Sequence, residues 1–455
     1  MKNGSIVIFK SKADSGLTAS EKKVVKKLIE AAKAIVPIYQ KQENIAHSGA
    51  NFYPHDATKE EITIAAKDDP DILSPYTVVE RSKDGKLKAI PYHIKYKTQL
   101  EKVAGFLKEA ADLTKNRDFA KRLHTQANAL LDGTYEVSDI YWLTMKPYKI
   151  DIAIGPIERY NDQLFFTKCS YQAWVGIMDE KQTEDAVRFK DFIVSARRRT
   201  LTPSEKVELI NKIQLRVDNT LIFSGLIARF MFTSSNLPND IKLVERYGSE
   251  ITIFRQSFDK KFDTEHHPIF HAIFEEKFQQ GYPTEVLRLG SLRNSYLHEI
   301  SHQLLRYRDA ETRLKEYFPV FDELAASVFG VKACGSLLLK DVISQKELEA
   351  IMVMFVARAF SWWISYLKEP SVVHYAQGFA IAINFFLENG AIMEAKLFSW
   401  PNFNKMFLAL EELSDSLETL ISMGSYQDAK HVVEKYGSLE IFERFRRQLK
   451  VIIEN

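Results

Sequence analysis

The sequence predicts an α+β protein in two parts, a mixed part over residues 1–283 and a mainly helical part over 284–455. Three observations carry this. KIDIAIGPIERY (149–160) alternates apolar and polar side chains, the period of a half-buried strand, until Gly155-Pro156 interrupts it. TVVERSKDGKLKAI (77–90) reads as a hairpin that turns at Lys83-Asp84-Gly85. From about Thr284 onward, nearly every segment repeats its apolar residues at helical spacing. At 455 residues the chain also exceeds the usual size of one core, so more than one lobe is expected.

The elements follow in order. Thr18 and Glu21 fit a capping box, and Val24, Val25, Leu28 and Ile29 recur behind them as one helix face. Asp68-Asp69-Pro70 and Ser74-Pro75 mark a turn-rich patch. Two helical patterns fill about 94–131 and stop near Asp132-Gly133. From Tyr135 to about Ile177 the pattern turns towards strands. A helix is expected after Pro203, then strand-like apolar residues through DNTLIFSGLIARFMFTSS (218–235), closing on the turn NLPND (236–240).

Bulk composition excludes several classes. Lysine and arginine number 62 against 60 acidic residues, a net charge of +2 that gives no electrostatic case for nucleic acid. The basic run at 197–199 reads as a solvated segment. Two cysteines, Cys169 and Cys334, make no disulfide framework and suggest a reducing, cytoplasmic compartment. The start MKNGSIVIFK lacks the long apolar run of a secretion signal. The most apolar stretch, 351–367, has Arg358 at its middle and is too short for a span, so a buried core helix is expected and no membrane partner.

Chemistry concentrates in HEISH (298–302). On a helix, His298 and His302 project one turn apart from one face, the spacing that chelates a single zinc ion, with Glu299 beside them as a candidate general base. A pair of histidines on a partly exposed helix is the bland alternative. Downstream, FPVFDELAAS (318–327) opens a new helix with Pro319 in its first turn. A helix-turn-helix hairpin would bring Glu323 back to the histidines as third ligand, with Asp322 orienting a ligating imidazole. An acidic pair in a solvated first turn is the competing account.

With these motifs the chain resembles the dipeptidyl peptidase III-type zinc peptidases, especially the shorter bacterial members with HExxH. The resemblance runs from GANFYPHDATKEEI (49–62) to DAKHVVEKYG (428–437). Between them lie GPIERYNDQLF (155–165), NLPND, HEISH, FDELAAS and INFFLENGAI (383–392). It implies one zinc ion held by His298, His302 and Glu323, with Glu299 as base and Tyr160 as hydrogen-bond donor to the oxyanion. It further implies that Glu158, Asn236 and Asn239 bind the amino-terminal end of an oligopeptide substrate. The fold it implies has two lobes across a wide cleft, one mixed with a β-barrel-like core, one mainly α-helical and carrying zinc. If 149–160 is one strand, Glu158 and Tyr160 point to the same side.

The chain departs from that pattern at several places. Gln303 stands where a glycine normally follows the second histidine, and Ser327 where an acidic residue is expected four after the third ligand. Tyr375, with His374 before it, occupies the place of a histidine ahead of INFFLENG, and GLIARFMFTSS replaces a glycine-rich segment. Two functions follow from these residues. One is a zinc metallopeptidase releasing short N-terminal units, dipeptides by the family's pattern. The other is a catalytically impaired relative that binds peptides or a protein.

Overall fold

The computed structural model describes residues 4–10, 16–198, 212–305, 307, 309–393, 397–398 and 402–454. The helix expected after Pro203 lies outside the described residues, as do Arg199 of the basic run and the first three residues of the chain. Two compact units divide the chain: Met1–Thr183 with Lys212–Ser257, and Glu184–Asn211 with Phe258–Asn455. The boundary expected at 283/284 thus falls inside the second unit. The helix Glu180–Arg198 crosses into that unit at residue 184, because its polar side chains are engaged there. Asp185 accepts from Tyr296 Oη at 2.9 Å and pairs with Arg293 at 3.3 Å, and Phe189 meets the Tyr296 ring edge-on. An acidic residue committed to a distant partner leaves no mark in local composition.

The first unit is built on a curled half-barrel sheet. Its strands are β1 (Ile6–Ile8), β4 (Ile150–Glu158), β5 (Ser170–Met178), β6 (Ile213–Gly225), β7 (Ser234–Leu237) and β8 (Ser249–Phe254); β2 (Thr77–Arg81) and β3 (Leu87–Pro91) form a separate hairpin. The order is β4-β5-β6-β8-β7, with β1 on the free stretch of β6. β6 runs parallel to β8, while every other pairing is antiparallel. β5 is buried on both faces except at its end, with helices Ala19–Ala34 and Val36–Gln42 packed against it. The Thr18–Glu21 capping box is present, and Gly85 (φ +83°) makes the hairpin turn.

Three sequence expectations change here. Residues 135–144 form a helix, not a strand: Tyr135, Ser138, Trp142 and Leu143 are buried at helical spacing despite their strand-favouring composition. The apolar run after Asp218 is broken at Gly225, whose φ of +72° ends β6 and opens a short helix, Leu226–Phe230. A Cβ at Gly225 would lie 2.3 Å from the Tyr171 carbonyl oxygen, so only glycine fits. β4 stops at Glu158 after a register shift beyond Pro156, so Tyr160 sits in the following turn and shares no strand face with Glu158.

The second unit is mainly helical, as expected. Its core helices are Thr284–Leu304, Phe318–Leu338, Gln345–Lys368, Val373–Glu388 and Phe403–Met423. Gly330 lets Phe318–Leu338 ride against the HEISH helix, since a Cβ there would stand 3.0 Å from the Leu297 backbone. Gly290 does the same for Gln345–Lys368 against the Ala350 backbone, where the corresponding distance is 2.7 Å. The approach at Gly330 joins the two helices that carry the metal-ligand candidates. Gln345–Lys368 is long and apolar enough to cross a membrane, but 72% of its most apolar window is buried within the unit. The core-helix reading of 351–367 stands.

Candidate active site

His298 and His302 lie near the C-terminal end of Thr284–Leu304, one turn apart, with ring planes at 83° and centroids 4.5 Å apart. Their Nε2 atoms are 3.1 Å from each other. Glu323, in the second turn of Phe318–Leu338, brings Oε2 to 3.2 Å from His298 Nε2 and 3.5 Å from His302 Nε2. Among the described residues these three form the one group of three or more histidine, cysteine or acidic residues whose ligand atoms converge, all within 4.8 Å. Pro319 starts the helix, so the expected hairpin geometry is what carries Glu323 back to the histidines.

The outer faces of both rings are tied down. His302 Nδ1 lies 3.3 Å from Asp322 Oδ2, the orienting contact expected of Asp322. His298 Nδ1 lies 2.9 Å from Ser327 Oγ. The carboxylate missing at 327 is therefore replaced by a hydroxyl on the same helix face, one turn after Glu323. Both partners can accept a hydrogen bond from Nδ1, the arrangement in which Nε2 is turned toward Glu323 to act as a ligand. We expect Ser327→Ala to weaken metal binding about 10-fold, the low end for losing a ligand's hydrogen-bond partner, as read by a competition titration against a chromophoric chelator.

The donor set fits a divalent transition metal. Two imidazoles and one carboxylate leave a coordination position open, unlike a closed structural site. Glu323 Oε2 is buried without a hydrogen-bond partner, as a metal-directed oxygen would be. Burial pushes the Glu323 carboxyl up, but the neighbouring imidazoles outweigh it and hold it well below the carboxylate range. For His302, burial pushes down, and the Glu323 and Asp322 carboxylates reverse this and raise it well above its ordinary value. The pocket favours positive charge.

Glu299 sits on the same helix, half-buried. Sequence reasoning noted Arg358 only as a charge inside an apolar helix. It donates from Nη1 to Ser295 Oγ at 2.7 Å, one turn before Glu299, and its guanidinium interacts with the Glu299 carboxylate. Burial lowers the Arg358 pKa to about 10 against the opposing pull of Glu299. The signal available in sequence was an arginine flanked by apolar residues on both sides. Tyr375 stacks flat on Trp362, with centroids 3.9 Å apart and 7° between planes.

The other site residues lie in the first unit. Glu158 ends β4, and Asn239 follows β7, at the opposite end of the sheet path. The curl of the sheet brings them together: Asn239 Nδ2 donates to Ile157 O at 3.0 Å and to Glu158 Oε2 at 3.3 Å. Burial raises the Glu158 carboxyl to about 7, with Asn239 and Arg159 pulling the other way. Asn236 lies within β7 opposite Ile251, and Asp240 caps the helix Ile241–Tyr247 through the amides of Lys242 and Leu243. NLPND is therefore a strand end and helix start and not a plain surface turn. Tyr160 is 53% exposed and packs against Phe230 and Phe232, residues of the segment that replaces a glycine-rich one. Its turn is organised by Asp162, whose carboxylate accepts from the amides of Leu164, Phe165, Thr167 and Lys168 and from Tyr53 Oη.

The fold and the convergent histidine–glutamate group define a two-unit α+β protein with a candidate metal site at HEISH. Its structural neighbours are dipeptidyl peptidase III structures, whose two-lobe fold it has. It is similar to the dipeptidyl peptidase III structure from Caldithrix abyssi, with a TM-score of 0.86 and 25% identity over 97% of this chain and 94% of that one. It shares its fold with the dipeptidyl-peptidase III structure from Corallococcus sp. strain EGB, at TM-score 0.77 and 22% identity over 98% and 93% of the two chains. Among curated proteins it is similar to Nudix hydrolase 3 of Arabidopsis thaliana, 27% identical over 424 residues. That match takes in 86% of this chain, which spans about half (54%) of that relative's length. No protein-family model matches the chain.

Proposed function

We propose that the protein is a zinc-dependent metallopeptidase that releases short N-terminal units, dipeptides, from oligopeptides. The observation that carries this is the convergence of His298 Nε2, His302 Nε2 and Glu323 Oε2, with both rings fixed from behind by Ser327 and Asp322. Zinc bound by these three residues would supply Lewis-acid polarisation of the scissile carbonyl and of the attacking water. Glu299 takes the water's proton as the oxygen adds to the carbonyl carbon, then returns it to the amine that leaves as the C–N bond breaks. Tyr160 donates its phenol hydrogen to the oxyanion. Glu158 accepts the peptide's α-ammonium, and Asn236 and Asn239 hold the backbone beside it. Recognition of a charged amino terminus would confine cleavage to peptides whose N-terminus is free.

The test is a mixed oligopeptide pool incubated with zinc-loaded protein and read by mass spectrometry. Loss of two residues from free N-termini, with acetylated peptides intact, supports the reading; equal cleavage of both sets, or internal cleavage, overturns it. Glu158 adds a pH signature. A carboxyl raised to about 7 is protonated below that pH, and an ammonium binds its ionised form, so peptide affinity should rise with pH up to about 7 and fall again as the peptide's own α-ammonium deprotonates at ~8. Glu158→Gln should raise KM and remove the rising limb. A second reading, a peptide-binding protein without turnover, is favoured by Tyr375, which is stacked on Trp362 where the family has a histidine. Stoichiometric zinc with no cleavage of any peptide would establish it.

A further inference from the structure

The helical unit carries a second pair of histidines four positions apart, in HPIFH (267–271). These residues occupy the helix His267–Ile273, which follows directly on a π-helical turn, Phe262–His266. Their geometry repeats that of the HEISH pair. His267 Nε2 and His271 Nε2 are 3.2 Å apart, against 3.1 Å for His298 and His302. The ring centroids are 4.6 Å apart at 89°, against 4.5 Å at 83°.

One ring is locked in the tautomer a metal needs. Gln279 Nε2 donates to two carbonyls, His271 O at 2.9 Å and Phe274 O at 2.6 Å, which fixes its amide orientation. Gln279 Oε1 is then the acceptor for His271 Nδ1–H at 2.5 Å, and His271 Nε2 is left with a lone pair. Thr284 Oγ1 lies 3.3 Å from His267 Nε2 and adds an oxygen beside the pair.

We propose that His267 and His271 form a second binding site for a divalent transition-metal ion of the zinc, nickel or copper type, separate from the HEISH centre. Imidazole ligands select such ions over magnesium or calcium. Water fills the remaining positions, since His271 is exposed. Among the described residues no carboxylate completes the site: Asp263, one turn before His267, is held by Arg288 Nη2 at 2.7 Å. Two neutral ligands make the ion weaker and more exchangeable than one held by two histidines and a glutamate. Burial, with the nearby His271 and Arg288, lowers the His267 pKa against the pull of Asp263. The proposal stands whether or not the protein is a peptidase.

The test is zinc uptake by the full chain, dialysed at graded free zinc and counted by plasma mass spectrometry. Wild type should take up two ions in two separate steps. His271→Asn and the double variant His267→Asn/His271→Asn should lose the weaker step and keep the tighter one, which also reports that they are folded. Glu323→Gln should lose the tighter step and leave only weak uptake, since each pair is then two histidines without a carboxylate. Gln279→Leu should move the weaker step to about 10-fold higher zinc, because the ring loses its orienting partner. An excess of magnesium should leave both steps in place. Coincident curves for wild type and the double variant would overturn the proposal, as would a weaker step that survives His271→Asn.

Discussion

Glu323→Gln is expected to strip tightly bound zinc from the HEISH site and abolish peptide hydrolysis at limiting zinc while leaving the fold intact. The amide matches the carboxylate in shape but carries no charge, and its nitrogen cannot coordinate. Glu323 Oε2 stands 3.2 and 3.5 Å from the two Nε2 atoms. It is the only anionic member of the convergent group among the described residues. Its removal should weaken zinc binding by more than ~100-fold, beyond what loss of an orienting partner alone costs. The helix that bears it is held by other contacts, including the close approach at Gly330, so circular dichroism should match wild type. Equilibrium dialysis at limiting zinc measures the first effect, and peptide turnover at the same limiting zinc measures the second. A variant that holds stoichiometric zinc with wild-type affinity would remove Glu323 from the ligand set.

The centre was legible in sequence because each of its parts obeys a local rule. Histidines at i and i+4 share a helix face, Pro319 marks a helix start, and a two-helix hairpin returns Glu323 to the pair. The Thr18–Glu21 box and the Gly85 turn were legible for the same reason, since their partners lie within a few residues. What failed depends on distant contacts. Tyr135–Thr144 is helical against its composition because packing against the sheet unit buries one helical face. The break at Gly225 is required by the Tyr171 carbonyl, on another strand. Ser327 looked like a loss because an acid was expected there, and only the 2.9 Å contact with His298 shows the hydroxyl filling that place. Glu158 and Asn239 were associated by the resemblance alone, since no local rule links positions 81 apart, and the curled sheet joins them across the ends of its own path. Gln303 replaces a glycine and is buried, and nothing in the structure explains the exchange.

Glu299→Gln should separate binding from chemistry. Glutamine keeps the size of the side chain and its place on the helix, one turn beyond Ser295, so the histidines and Glu323 keep their geometry and zinc should bind as in wild type. What the amide cannot do is accept a proton from water and hand it to the leaving amine. General-base loss is worth about 10²- to 10⁴-fold in rate, so kcat should fall by that amount with KM for a free-amino peptide little changed. A fall in kcat with intact zinc content places Glu299 in the proton transfer. If zinc is lost as well, the variant has disturbed the ligands and says nothing specific about a base. Arg358 supplies the control, because it faces Glu299 and Ser295 without belonging to the metal-ligand group. With Glu299 ionised beside it, the guanidinium has a counter-charge; with glutamine it has none, and about 1–3 kcal/mol of folding stability should go with that charge. A lower Tm in Glu299→Gln, restored in the double variant Glu299→Gln/Arg358→Met, would show that the base is held by this buried cation. An unchanged Tm would mean that Arg358 is satisfied by Ser295 and solvent alone, and the kinetic loss would then be the only consequence of the substitution.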